Sequence, residues 1–377
     1  MTRREFINTM NTGITGLALG MSGRSRAGEQ PQSLKNWAWM IPNRRMSEDD
    51  YKALFALMND CGIHAVLPEI YNGHHAFYNS ASHPVEFDWL GQILPLAKAA
   101  GLEVHGWMWS MPCNDPAIRE QHPDWFMVNG LGESAGEKPA YVNYYRFLCP
   151  NRTGAQNFIQ TTVREIATIS EIDGVHLDYI RFPDVILAEA LQPKYNIVQD
   201  REYPQYDYCY CQVCREKFKT QTGIDPVELQ DPSQHKEWIQ FRYDSISNLV
   251  KNILAPEARK MNKMVTAAVF PNWHMVRQQW SVWHLDAVLP MLYNTFYNAG
   301  PDWIQQHTQK GKTSLTSKTR LYSGLFVPGM SPDDLTNAIK AAWAGNADGF
   351  ALFNAGSLKD EHWKAIKKLN IEREREK

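Results

Sequence analysis

Asp173-Gly174-Val175-His176-Leu177-Asp178-Tyr179-Ile180 starts from a glycine, runs through apolar residues and closes on a carboxylate, and its opening recurs along the chain. Cys61-Gly62-Ile63, Ala100-Gly101-Leu102 and Asp348-Gly349-Phe350 each place a glycine between an amphipathic segment and a strand-like one. A helix that hands over to a strand needs a residue at ease in left-handed backbone just past its end, and glycine carries no Cβ penalty there. Working outward from these markers predicts strands at Trp37 to Ile41, Ala65 to Ile70, Glu103 to Trp109 and Gly174 to Ile180. Four more are predicted at Val265 to Phe270, Ala287 to Tyr293, Arg320 to Phe326 and Gly349 to Phe353. Helices are expected between them, among others at Asp49 to Cys61, Trp89 to Ala100, Gly154 to Ile169, Lys236 to Met261, Pro332 to Ala344 and Glu361 to Leu369. Strand and helix alternating in this way is the pattern of βα units, and eight units close into a (β/α)8 TIM barrel of the α/β class. No glycine-rich phosphate fingerprint follows the first strand, which argues against a dinucleotide fold.

Two connections exceed what a βα loop requires, one from Ser110 to about Pro150 and one from Phe182 to about Gln234. Loops that follow strands lie on the catalytic face of a barrel, so these insertions after strands 3 and 4 are expected to wall the mouth. The domain reading is one barrel over residues 28–371, preceded by a signal peptide at 1–27 and followed by a charged tail at 372–377. Thr2-Arg3-Arg4-Glu5-Phe6-Ile7 matches a twin-arginine pattern, and the weakly apolar run that follows ends at Ser25-Arg26-Ala27, a cleavage site. These signals imply an exported protein, periplasmic or extracellular, with no transmembrane segment.

A formal charge of -2 gives no general attraction to nucleic acid, which excludes it as an expected partner. With 13 Trp, 16 Tyr and 15 Phe, many near predicted strand ends, the chain is suited instead to a weakly charged partner with flat apolar faces, as sugars have. The sequence does not speak to oligomeric state.

In the Asp173–Pro183 run, alternation puts His176 and Asp178 on one side of the strand. A carboxylate at the C-terminal end of a barrel strand faces the cavity where substrates bind, and Arg181 is a cationic neighbour expected to keep Asp178 ionised. Glu69, in Leu67-Pro68-Glu69-Ile70-Tyr71, is the leading second carboxyl, with apolar flanks expected to raise its pKa. The sixth strand ends Met291-Leu292-Tyr293-Asn294 without a carboxylate, and Asp184 and Asp115 on the long loops are the fallbacks. His105, Trp107, Trp109, Tyr71, Asn272, Tyr293, Asn294 and Asn354, all near strand ends, are the expected substrate-binding groups along with His176 and Arg181.

The run His176 to Pro183, the Cys209-Tyr210-Cys211-Gln212-Val213-Cys214 loop and Val66 to Tyr71 together resemble the bacterial family-10-like glycosyl hydrolases, a set distinct from the true family-10 xylanases. The resemblance spans Trp37 to Leu369. It implies a TIM barrel, a poly- or oligosaccharide substrate and a catalytic Asp at the position of Asp178. Glycosidic cleavage uses a pair of carboxyl groups, so Asp178 is expected as nucleophile or base and Glu69 as acid, with no cofactor required. Two other readings stand beside it: a glycan-binding barrel without catalysis, and a metal-dependent hydrolase or lyase built on the cysteine loop.

Of the six cysteines, Cys209, Cys211 and Cys214 form a C-x-C-x2-C triplet. With a fourth ligand from Cys149 or a loop histidine, such a triplet holds a structural zinc; in an oxidising compartment the alternative is a disulfide. Either way the expected role is to pin the two long loops together. Cys61 reads as a small buried apolar residue.

Overall fold

The computed structural model describes residues 35–375. The expected leader at 1–27 lies outside the described residues, as do the last two residues of the expected tail. Eight parallel strands close in sequence order into a barrel: β1 Trp37–Met40, β2 Ala65–Tyr71, β3 Glu103–Trp109, β4 Gly174–Asp178, β5 Met264–Val269, β6 Ala287–Pro290, β7 Arg320–Phe326 and β8 Gly349–Phe353. Closure is made by β1 against β8, with Trp37 opposite Ala351 and Ala38 opposite Leu352. Among the described residues, no helix is long and apolar enough to cross a membrane.

Period-2 alternation divides the core in two. Trp37, Trp39, Ala65, Leu67, Trp107, Leu289, Tyr322 and Ala351 fill the barrel interior, while Ala38, Met40, Val66, Val104, Val175 and Leu177 pack outward against the helical ring. Aspartates that precede β4, β6 and β8 tie the bottom of the barrel: Asp173, Asp286 and Asp348 accept the backbone N–H of Val104, Val265 and Leu321, each on the strand before. Carboxylate acceptors satisfy strand-end donors that no ladder partner reaches.

The glycine markers separate into two kinds. Gly62 and Gly101 have φ of +78° and +77°, the left-handed C-cap expected. Gly174 and Gly349 instead open strands where a Cβ would collide with the His105 ring and with the Lys35 carbonyl respectively.

Several boundaries differ from the sequence expectation. β4 stops at Asp178 because Tyr179 turns to φ +50°. The expected Lys236 to Met261 helix is α-helical over Lys236–Asn248, widens to a π-turn over Leu249–Leu254 and resumes over Ala255–Arg259. Pro256 accounts for this, since its ring cannot sit against the carbonyl four residues earlier in a regular α-helix. The last helix, Asp360–Arg375, runs through much of the expected charged tail, and the Arg373 guanidinium lies 3.9 Å over the Trp343 ring. The expected tail is thereby partly docked.

Candidate active site

Glu69, Trp107 and Asp178 come from three adjacent strands at the C-terminal mouth. Glu69 of β2 is in register with Trp107 of β3, and Trp109 of β3 with Asp178 of β4. Each residue keeps 8% of its surface exposed, so the pair sits at the floor of the mouth.

Asp178 is held from two sides. Its Oδ2 accepts the Trp107 indole N–H at 2.9 Å and its Oδ1 the backbone N–H of Tyr179 at 2.7 Å. The second bond exists because the chain leaves β4 in left-handed backbone at Tyr179, an uncommon conformation for a bulky residue and one that clusters at functional sites. Burial pushes the Asp178 carboxyl up to about 6, with the Tyr179 amide, the Arg181 charge and the Trp107 indole opposing the rise. Glu69 has less support. Burial and the neighbouring Asp178 charge push it up to about 8, opposed by the Trp109 indole. At neutral pH the first carboxyl is mostly ionised and the second mostly protonated.

Arg181 is not the direct partner of Asp178 that its spacing suggested. Its Nη1 donates to Asp184 Oδ2 at 3.0 Å and to the Phe182 carbonyl at 2.8 Å, and its Nη2 donates to the Tyr145 hydroxyl at 3.0 Å. The guanidinium lies over the rings of Phe270, Tyr179, Tyr145 and Phe147. A planar fork fits this aromatic cage, and its charge reaches Asp178 only through space. Both fallback acids are engaged elsewhere: Asp184 is the buried partner of Arg181, and Asp115 caps the helix Pro116–Gln121 by accepting the Ala117 amide.

Other expected binding residues divide by depth. His176 is fully enclosed one layer below Asp178, where its Nε2 accepts the Trp39 indole N–H at 3.1 Å and its Nδ1 faces Thr266 Oγ1 at 2.8 Å. Its pKa falls well below the ordinary histidine value through burial. A neutral ring so enclosed and engaged reaches neither Asp178 nor the open mouth, so the expected substrate-binding role is replaced by a packing one. His105 is deeper still, sealed beside Trp37 with Nε2 3.3 Å from Glu103 Oε2 at the barrel bottom. It is out of reach of the mouth. Tyr71 is also displaced. The β2–β3 register shifts between Glu69 and Tyr71, so Tyr71 leaves the interior face and packs against His83, ring centroids 4.3 Å apart. Period-2 reading fails at such a bulge.

Trp109, Tyr293 and Asn354 are half-buried at the mouth, and Asn272 lies beside Tyr297. Trp109 packs on Tyr179 and Tyr144, and Tyr293 on Phe326, Phe296 and Phe353. Asn294 Oδ1 has no hydrogen-bond partner, although Asn294 Nδ2 is committed to the Ala299 carbonyl at 2.6 Å. Buried polar atoms left unpaired suit the hydroxyls of a ligand. Two grooves elsewhere, of about 410 Å³ along Trp125 and Phe158 and about 740 Å³ along Glu216 and Asp244, contain neither carboxyl.

Sequence reasoning missed Tyr144, Tyr145 and Tyr179, which cage Arg181 and flank Trp109. The Tyr144-Tyr145 doublet in the long insertion was the available signal. Cys149, Cys209, Cys211 and Cys214 are buried and free, their sulfurs all within 4.8 Å of one another. No disulfide joins them. Cys61 is buried as expected, its thiol 3.5 Å from the Trp363 carbonyl.

The model of the glycosyl hydrolase-like 10 family matches residues 33–331. No curated protein matches the chain. Among solved structures, the catalytic domain of the β-amylase from Paenibacillus polymyxa aligns with a TM-score of 0.64 at 10% identity, covering 90% of this chain and 98% of that one. The PgaB (BpsB) glycoside hydrolase domain from Bordetella bronchiseptica gives 0.65 at 12% identity, with coverage of 90% and 98%. A β-galactosidase from the haloarchaeon Halorubrum lacusprofundi gives 0.65 at 13%, covering 90% of this chain and 58% of that one. Likenesses at these identities establish the barrel, and activity is a separate question.

Proposed function

Because the chain belongs to the glycosyl hydrolase-like 10 family, we propose that it cleaves glycosidic bonds in a poly- or oligosaccharide, with Asp178 as nucleophile or base and Glu69 as acid. One observation carries the reading: two carboxyls share the floor of the barrel mouth, and their surroundings separate their proton affinities, about 6 against about 8. Glycoside hydrolysis asks for this division, one group charged to attack or to activate water and one kept protonated for the leaving oxygen. Burial raises both groups, but Asp178 has two close donors while Glu69 also feels the charge of Asp178. Trp109 and Tyr293 supply aromatic faces for sugar rings, and Asn294 Oδ1 an acceptor for a hydroxyl.

Release of reducing ends from a panel of bacterial and plant glycans tests the proposal, with wild type, Asp178→Asn and Glu69→Gln side by side. Cleavage by wild type and its loss in both variants is the expected result. Undiminished activity in Asp178→Asn sinks it, and tight binding to a glycan that is never cleaved would favour a binding barrel instead. On the Thr2 to Ala27 pattern we also place the mature protein outside the cytoplasm. N-terminal sequencing of the exported form, expected to begin near Gly28, tests that placement.

A further inference from the structure

Cys149 closes the insertion that follows β3, and Cys209, Cys211 and Cys214 lie 60 to 65 residues later in the insertion that follows β4. The fold nevertheless brings the four thiols into one buried cluster. Cys149 Sγ stands 3.5 Å from both Cys211 Sγ and Cys214 Sγ, and no pair in the set exceeds 4.8 Å. Two disulfides would require two close pairs with S–S near 2.05 Å. One sulfur equally near two others is instead how the corners of a tetrahedron relate. Ligands at a Zn–S distance of about 2.3 Å sit about 3.8 Å apart at those corners.

The surroundings are built for thiolates. The Val128 amide donates to Cys209 Sγ at 3.4 Å, the Asn151 amide to Cys149 Sγ at 3.4 Å and the Asn151 side-chain Nδ2 to Cys214 Sγ at 3.3 Å. Asn151 Nδ2 is itself fixed by Ser245 Oγ at 2.9 Å. Cys211 occupies the N-cap position of the helix Gln212–Thr222, whose dipole favours negative charge at that end. Donors that orient and neutralise bound sulfur are the usual outer layer of a metal site.

We propose that Cys149, Cys209, Cys211 and Cys214 bind a single zinc ion in tetrahedral tetrathiolate coordination. With all four positions filled by protein, the ion has no place for water or substrate, so its role is structural and the metal-dependent hydrolase reading loses its centre. The ion fastens the β3 insertion to the β4 insertion. Tyr145, four residues before Cys149, is thereby held where its hydroxyl meets Arg181.

The test uses the full chain, purified without chelating resin, and reads metal content by mass spectrometry alongside free thiols counted in denaturant without reductant. Expected are stoichiometric zinc and all six cysteines reactive once denatured. Stripping the zinc with a chelator is expected to make cleavage of the two insertions by a protease roughly tenfold faster. Cys214→Ser should lose the zinc and Cys214→His should retain it. Thiols limited to Cys61 and Cys113, zinc-free protein with every thiol intact, or stoichiometric iron in place of zinc would each overturn the proposal. So would zinc unchanged in Cys214→Ser. If that variant does not fold, the metal and thiol counts on the unaltered chain still decide.

Discussion

The Trp107 indole donates from Nε1 to Asp178 Oδ2 at 2.9 Å, and its backbone lies in register with Glu69 on the neighbouring strand. A hydrogen bond to a charged acceptor contributes about 1.5–3 kcal/mol, which selectively favours ionised Asp178. Trp107→Phe keeps the ring and removes the donor. The acid limb of the rate profile should then move upward by about one to two pH units, with kcat/KM at pH 7 lowered about two- to tenfold. An unmoved acid limb would separate Trp107 from the chemistry.

The pH dependence follows from the same pair. Activity needs Asp178 charged and Glu69 protonated, so kcat/KM should be bell-shaped, rising through about 6 and falling through about 8. The two limbs belong to the coupled pair rather than to isolated groups. A profile flat across pH 5 to 9 on a cleaved glycan would contradict this.

Holding Glu69 in its place costs stability. Its carboxyl is raised from 4.5 to about 8 in the fold, so the stability it lends is full at pH values below its unfolded pKa and is lost as pH rises through about 8. Glutamine does not titrate. Glu69→Gln should therefore match wild type near pH 4 in thermal unfolding and exceed it increasingly up to pH 9, by a few kcal/mol at the upper end. A constant difference across that range would show that Glu69 titrates alike in folded and unfolded chains.

Arg181 is bound into the wall of the mouth by Asp184, Tyr145 and the Phe182 carbonyl. Arg181→Ala leaves the Asp184 carboxylate buried and unpaired, which costs about 3–5 kcal/mol. Arg181→Lys restores charge but not the fork, so it should recover only part of the loss in denaturant titrations. Arg181→Ala together with Asp184→Ala should be less destabilised than the sum of the single changes.

Much of the barrel was legible because its signals are local. Strand runs such as Ala287 to Pro290 are short, apolar and fully buried, and Gly62 and Gly101 mark helix ends by a conformation that glycine accommodates. Asp178 was legible too, as a charged side chain closing an apolar run. What escaped the sequence depends on register and on partners distant along the chain. The bulge that turns Tyr71 outward is set by pairing with β3 and leaves no trace in the β2 residues themselves. His105 and His176 share a strand parity with mouth residues, yet parity gives the face and not the depth, and both lie in lower layers of the interior. Arg181 was three residues from two aspartates, and spacing alone could not choose Asp184 over Asp178.

The most direct test of the account follows the two protons themselves, by carbon NMR of side-chain carboxyls in labelled protein, with Asp178 and Glu69 assigned through the signals lost in Asp178→Asn and Glu69→Gln. The account predicts that Asp178 titrates near 6 and Glu69 near 8, so that one is charged and the other neutral at pH 7. Glu69 titrating at its ordinary value of 4.5, alongside a fully ionised Asp178, would leave the site without a proton donor and contradict it.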